Sequence, residues 1–471
     1  CCFPERKLTV IGLSTYKNEV QQHGTLSRPD SLSAVRRQVL QLAGPSLVEM
    51  ALVSFVNMAD MMMVGRLGPA AIAAVGLTNQ PVFFAMAVFI ALNVGTTAVI
   101  ARAIGAGEDQ VANDAMRQSL MLVIAMGLVV SALGFAFAAN VLKFMGAEAD
   151  VVPLGTGYMR IIAAGGPFMV VAMSLTAALR GAGDTVSPMK ANMVANVTNV
   201  IGNYLLIYGK FGFPRLGVAG AALATSFARV IAFLLLLRVV MSGNTHLHLT
   251  GPFALNKELF ERIIRVGAPS AGEQIVLRGG QLVYLKIVAG FGTTVVAAHQ
   301  VGMNILNLSF MPGMAFAVAA TTLVGQGLGA GMPDAAEEWA RETRKMGMFV
   351  SGCMALMFIL FGKYIAMLYT NDPEVIVRTA TVLRILGLVQ PAQSTQFILA
   401  GGLRGAGDTK WPLYSTAVGV WGFRVAVGYF LAVVMGLELV GAWMGMAIDQ
   451  VARSAIIGLR FKSGKWKSAR V

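Results

Sequence analysis

Cysteine is nearly missing from this chain, with only Cys1, Cys2 and Cys353. Three such residues build no disulfide framework and have no ligand spacing for zinc. Histidine is as scarce, at His23, His246, His248 and His299, and no pair has the His-Glu-x-x-His spacing of a metalloprotease. There is no Gly-x-Ser-x-Gly elbow. The Arg-Gly-Ala-Gly-Asp runs at Arg180–Asp184 and Arg404–Asp408 read as turns and lack the Gly-Lys-Ser/Thr ending of a phosphate loop, and the glycine-rich Gly325–Gly331 stretch ends an apolar span, which argues against dinucleotide binding. With these signatures missing an enzyme is not expected, and with no ATP-binding domain, transport powered by this chain alone must run on an ion gradient. Charge is low too: 13% of residues, against about 25% in soluble domains.

What fills the space is apolar. Hydrophobic residues make up 56% of the 471, and mean hydropathy is +0.68. Apolar segments of helical length recur twelve times, from 41–64 to 440–460, separated by short Gly-, Pro- and charge-rich turns. The expected fold is all-α and polytopic.

The halves repeat. Leu-Arg-Gly-Ala-Gly-Asp-Thr stands at Leu179–Thr185 and again at Leu403–Thr409, an offset of 224. The same offset carries Pro45 onto Pro269, Glu49 onto Glu273, Gly105–Gly107 onto Gly329–Gly331, Pro167 onto Pro391 and Arg229 onto Arg453. Six spans per half make this a parallel repeat, one of the transporter plans, with two pseudo-symmetric six-helix lobes. The expected divisions are an N-terminal tail 1–35, a first lobe 36–241, an inter-lobe loop 242–262, a second lobe 263–461 and a basic tail 462–471.

The net charge of +14 invites a nucleic-acid reading, but its distribution argues otherwise. The tails and the loops on their side hold 25 of the 37 lysines and arginines, and the opposite loops hold five. By the positive-inside rule both termini are cytoplasmic, and no nucleic-acid partner is expected.

Polar residues inside the spans are the candidate site. Glu49 and Asp60 lie within about 20° of each other on one helix face, roughly 16 Å apart along the axis. An intramembrane acid costs at least about 2.5–3.5 kcal/mol, a cost borne where the group faces a cavity or an ion path. Asp60 is therefore a proton- or cation-binding candidate, and Asn57 sits one turn before it. Glu49 is open to either a structural or a substrate-path role, and its mate Glu273 shares that ambiguity, with Gln281 and Tyr284 continuing its helix face. The fifth span carries Asn192, Asn196, Asn199 and Asn203 on one face, at steps of four, three and four. Such a row either glues helices together or serves Asp60 through Asn199 and Asn203. Its repeat mate lacks the row, with Val427 where Asn203 stands, so the two halves are not equivalent. Asp449, four residues before Arg453, reads as half of an intrahelical ion pair. The intramembrane bases Arg160, Arg229, Arg278, Lys286, Arg378, Arg384 and Arg424 receive no role.

Taken together, several stretches resemble the multidrug and toxic compound extrusion (MATE) family of secondary antiporters, over roughly 36–461. They are Asn57–Asp60 with Val64–Gly68, Arg180–Thr185, Asn199 and Asn203 running to Gly209, Gly267–Ser270 with Glu273, Ala297–Gln300, and Gln390-Pro391 leading to Leu403–Thr409. The resemblance implies two six-helix lobes around a cleft that opens alternately to either side. It also implies export of amphipathic organic cations against protons or sodium, with no cofactor. Under it, Asp60 matches the cation-coupling aspartate, a metal ligand if the ion is sodium, with Asn199 and Asn203 around it. Pro45 matches the proline at which the first helix bends. Glu273 matches a second-lobe glutamate whose usual aspartate partner is replaced here by Gln393.

The expectation is thus a monomeric, ion-coupled multidrug exporter in the lipid bilayer. A lipid-linked sugar flippase is the first alternative and would favour Arg278, Lys286 and Arg424 lining the cleft. A channel or membrane enzyme is the second.

Overall fold

The computed structural model describes residues 31–243 and 245–469. Among these, twelve long helical segments follow one another: α1 Leu32–Gly65, α2 Pro69–Gly105, α3 Asp109–Ala136, α4 Val151–Gly181, α5 Val186–Tyr208, α6 Val218–Met241, α7 Lys257–Ala289, α8 Thr293–Gly329, α9 Pro333–Met367, α10 Pro373–Gly405, α11 Lys410–Val434 and α12 Glu438–Lys462. A short helix, Ala138–Phe144, follows α3. Nine of the twelve are long and apolar enough to cross a membrane; α5, α7 and α12 fall short. These three carry the asparagine row, the Glu273 face and the Asp449–Arg453 pair, polar groups that point inward.

Most helices outrun the apolar stretches that predict them, because capping and polar terminal turns extend a helix beyond the membrane core. Ser31 Oγ accepts from Ala34 N at 3.3 Å to start α1. The expected tail 1–35 therefore ends in helix from Leu32 onward, while residues 1–30 lie outside the described residues. Asn256 caps α7 by accepting from Glu258 N and Leu259 N, so the second lobe's first helix begins inside the expected loop 242–262. The rest of that loop lies along α3, where Asn113 Oδ1 accepts from His248 N at 2.6 Å and Gln118 Nε2 donates to Ala254 O at 2.5 Å. The expected basic tail 462–471 folds back in its described part. Trp466 is fully buried against Phe461, and Lys467 Nζ pairs with Asp334 at 2.9 Å and Glu337 at 2.6 Å.

Six helices hold an internal proline: Pro45, Pro81, Pro167, Pro269, Pro312 and Pro391. Pro45 cannot donate to the Gln41 carbonyl one turn back; Thr185 Oγ1, from the duplicated motif, donates to that carbonyl at 3.2 Å. In α11 the residues Val418–Val427 are wound wider than an α-helix, as a π-helix.

Each lobe has its own apolar core, one centred on residues such as Leu175 and Leu179, the other on Leu383 and Trp443. The lobes meet at the C-terminal ends of α2 and α8. There a Cβ on Gly105 would strike the Gln326 backbone, and one on Gly329 would strike the Arg102 backbone, a reciprocal contact at the repeat offset. Gln326 Nε2 donates to Gly181 O at 3.0 Å, and Thr322 Oγ1 to Arg180 O at 2.9 Å. The face at which α1 begins and α12 ends is thus shut, and the inter-lobe cleft lies beyond it.

Candidate functional site

Within the first lobe, the asparagine row of α5 divides between the two acids of α1. Asn203 Nδ2 donates to Asp60 Oδ1 at 2.5 Å. With its nitrogen turned toward the carboxylate, Asn199 donates to Oδ1 and Oδ2 at 2.9 and 3.1 Å, and its oxygen accepts from Thr225 Oγ1. Asn192 Nδ2 instead donates to Glu49 Oε1 at 2.7 Å. Both Asn199 and Asn203 are buried, and Asn203 Oδ1 has no partner among the described residues. Asn57 is exposed and is not brought to Asp60. Asp60, Asn199 and Asn203 do not line the central cleft; they form a hydrogen-bonded cluster inside the first lobe.

Glu49 and Glu273 sit at equivalent positions with equivalent partners. Arg180 Nη2 pairs with Glu49 Oε2 at 2.8 Å, and Arg404 Nη2 donates to both Glu273 oxygens at 2.8 Å. Thr416 Oγ1, the repeat mate of Asn192, adds a bond to Glu273 Oε1 at 3.2 Å. A third set is confined to the second lobe. Asp449 lies between Arg453, at 2.8 Å along α12, and Arg424 from the wide turns of α11, at 2.5 Å.

The second-lobe residues singled out from sequence part company. Glu273 and Gln281 line the cleft; Tyr284 and Gln393 are buried away from it. The reason is packing: the Tyr284 ring lies 5.6 Å from His299, which lies 5.5 Å from Trp443, so the tyrosine is taken into the lobe core. Arg278 and Lys286 are exposed and off the cleft, whereas Arg424 is on it.

The cleft has a volume of about 540 Å³ and draws on both lobes. Its walls are apolar and adaptable, with Met169, Met173, Met303, Phe310, Met314 and Phe397. Among the described residues, no group of three or more His, Cys, Asp or Glu is placed to hold a metal ion.

The MatE family profile matches residues 45–205 and 269–430, one copy in each lobe. The chain belongs to the MatE family. Like its relatives, this MatE chain is a multi-pass membrane protein. It is similar to a probable multidrug resistance protein NorM of Thermotoga maritima, 32% identical over 449 residues, covering 94% of this chain and 95% of the relative. Among solved structures, an outward-facing multidrug resistance MATE family transporter superposes with a TM-score of 0.85 at 25% identity, over 92% of this chain and 97% of that one. A MOP superfamily transporter of Pyrococcus furiosus, described as having a binding pocket of reversed polarity, superposes equally well at 25% identity, over 93% and 97%.

In this MatE chain, the Arg180 and Arg404 motif reads from sequence as a glycine turn, which assigns the two arginines no role. The signal was present: each arginine stands 131 residues after its glutamate. Arg424 carried no such signal, because its repeat mate is Val200.

Proposed function

We propose that the protein is an ion-coupled multidrug efflux antiporter working by alternating access, in the inner membrane with both termini cytoplasmic. Relatives named for multidrug resistance support the efflux role. The observation that carries the coupling is Asp60 held by Asn203 and Asn199 in a buried cluster off the cleft lining. An ion bound there can bias the lobe without sharing the substrate's volume, and by linkage the substrate then biases the ion equally. Both amides present N–H groups rather than oxygens to the carboxylate, which suits a proton better than a metal ion as the coupling ion: protonation removes an acceptor and releases the donors. Sodium would require amide oxygens turned inward, and Asn203 Oδ1 is the one at hand. The two lobes of one chain form the whole cleft, in keeping with a monomer.

The methionine- and phenylalanine-lined cleft suits amphipathic small molecules. The organic cation implied by the resemblance would need an acid free to meet it, and Glu49 and Glu273 are each engaged by an arginine. The sugar-flippase alternative loses two of its three basic residues, since Arg278 and Lys286 are off the cleft.

The test is dye transport by purified protein in liposomes, with proton and sodium gradients imposed separately. Saturable transport driven by the proton gradient alone is expected. Ohmic current without saturable transport would replace the antiporter with a channel.

A further inference from the structure

Cleft charge is one-sided. The lining includes Arg180, Arg229, Arg404, Arg424 and Arg453 but only two acids, Glu49 and Glu273. In both glutamate pairs the base is the more exposed member: the Arg180 and Arg404 side chains are 19% and 20% exposed, their glutamates 8%. Both members of each pair line the cleft, and the arginine offers it the larger exposed share. Asp449 is fully buried behind Arg424 and Arg453. On the first-lobe side, Arg229 Nη1 makes no hydrogen bond among the described residues, and the acid that faces this guanidinium, Asp60, is off the cleft behind it.

We propose that the cleft selects amphipathic organic acids: an apolar, often aromatic body with one carboxylate, sulfonate or phosphate head. The inference rests on the efflux reading above and names its substrate class. A guanidinium carries five donors in a planar fork, and each cleft arginine spends only part of that set on its acid. An anionic head meets the remaining donors with charge-assisted, partly desolvated hydrogen bonds. A cationic head meets like charge in excess of the acids on the lining, an arrangement that rejects the wrong partner as much as it attracts the right one. The methionine and phenylalanine walls take the body in either case and do not discriminate. The volume of about 540 Å³ is that of a drug-sized site, which favours a soluble acid over a two-chain lipid.

Two probes sharing one body isolate the head: 1-pyrenebutyrate and its trimethylammonium counterpart, titrated against purified protein in neutral detergent with no gradient. The carboxylate is expected to bind about tenfold more tightly, the size of one charge-assisted hydrogen bond. Arg229→Gln should lose that preference while leaving the ammonium probe's affinity unchanged or improved, and Arg229→Lys should keep part of it. Arg424→Gln should act the same way, and Arg229→Gln covers the case in which opening the Asp449 cluster unfolds the protein. Adding phosphatidylglycerol identifies the source of the anion: competition assigns a lipid headgroup, and its absence a soluble acid. Equal or tighter binding of the ammonium probe would overturn the inference. If a proton gradient also drives that probe, the antiporter reading survives alone. Preferred carboxylate binding without gradient-driven movement would instead sink the antiporter reading and leave the charge selectivity standing.

Discussion

Thr185 Oγ1 donates at 3.2 Å to the carbonyl of Gln41, the group that Pro45 on α1 is unable to serve. The proline and the threonine lie 140 residues apart in sequence, yet the threonine supplies the hydrogen bond that the proline lacks. A helix held this way can bend without stranding a backbone oxygen. Pro45→Ala restores the main-chain donor and should impair efflux while insertion and melting temperature hold. Thr185→Val alone should destabilise by about 1–3 kcal/mol, and by less in the Pro45→Ala background. Unchanged efflux in a well-expressed Pro45→Ala protein would remove the hinge.

Asp60→Asn, nearly isosteric but uncharged, is expected to abolish gradient-driven efflux at normal expression. Asn203→Ala should weaken coupling by deleting the shortest hydrogen bond to the carboxylate. Proteoliposome transport with each gradient in turn is the measurement. Normal drug efflux by Asp60→Asn would end the coupling role.

Removing one partner of a buried ion pair leaves the other charge uncompensated, at roughly 3–5 kcal/mol. Glu273→Gln is expected to lower the melting temperature in detergent by stranding Arg404, and Arg404→Gln to do likewise. The double replacement should cost less than the sum of the two. Glu49→Gln should behave in parallel through Arg180, and an additive double variant in either lobe would show the pair to be unimportant. On efflux, Glu273→Gln should have a smaller or substrate-dependent effect than Asp60→Asn.

Gly329→Ala places a methyl against the Arg102 backbone where the lobes close. The helices must separate there, so the expected result is a shift toward the conformation open on that face. Faster alkylation of a cysteine introduced at Thr322, in a background stripped of its native cysteines, reports the shift. Unaltered labelling at unaltered stability would mean the contact does not hold the face shut.

The sequence alone determined the helical class, the twelve segments and the doubling at 224, because apolar length and exact recurrence are properties of a line of residues. It also marked Asp60 and the asparagine row, since polar groups in apolar spans stand out wherever the helices go. Only the tertiary structure decided that Asn192 serves Glu49 while Asn199 and Asn203 serve Asp60. It also decided that Asn57 stays outside and that Tyr284 leaves the cleft for an aromatic core. These outcomes depend on how each helix is rotated and how closely its neighbours approach, and spacing along one helix constrains neither. The sign of the cleft is the plainest case. Composition counts arginines and acids alike, whereas packing brings five arginines but only two acids to the cleft and leaves Arg180 and Arg404 more exposed than their glutamates.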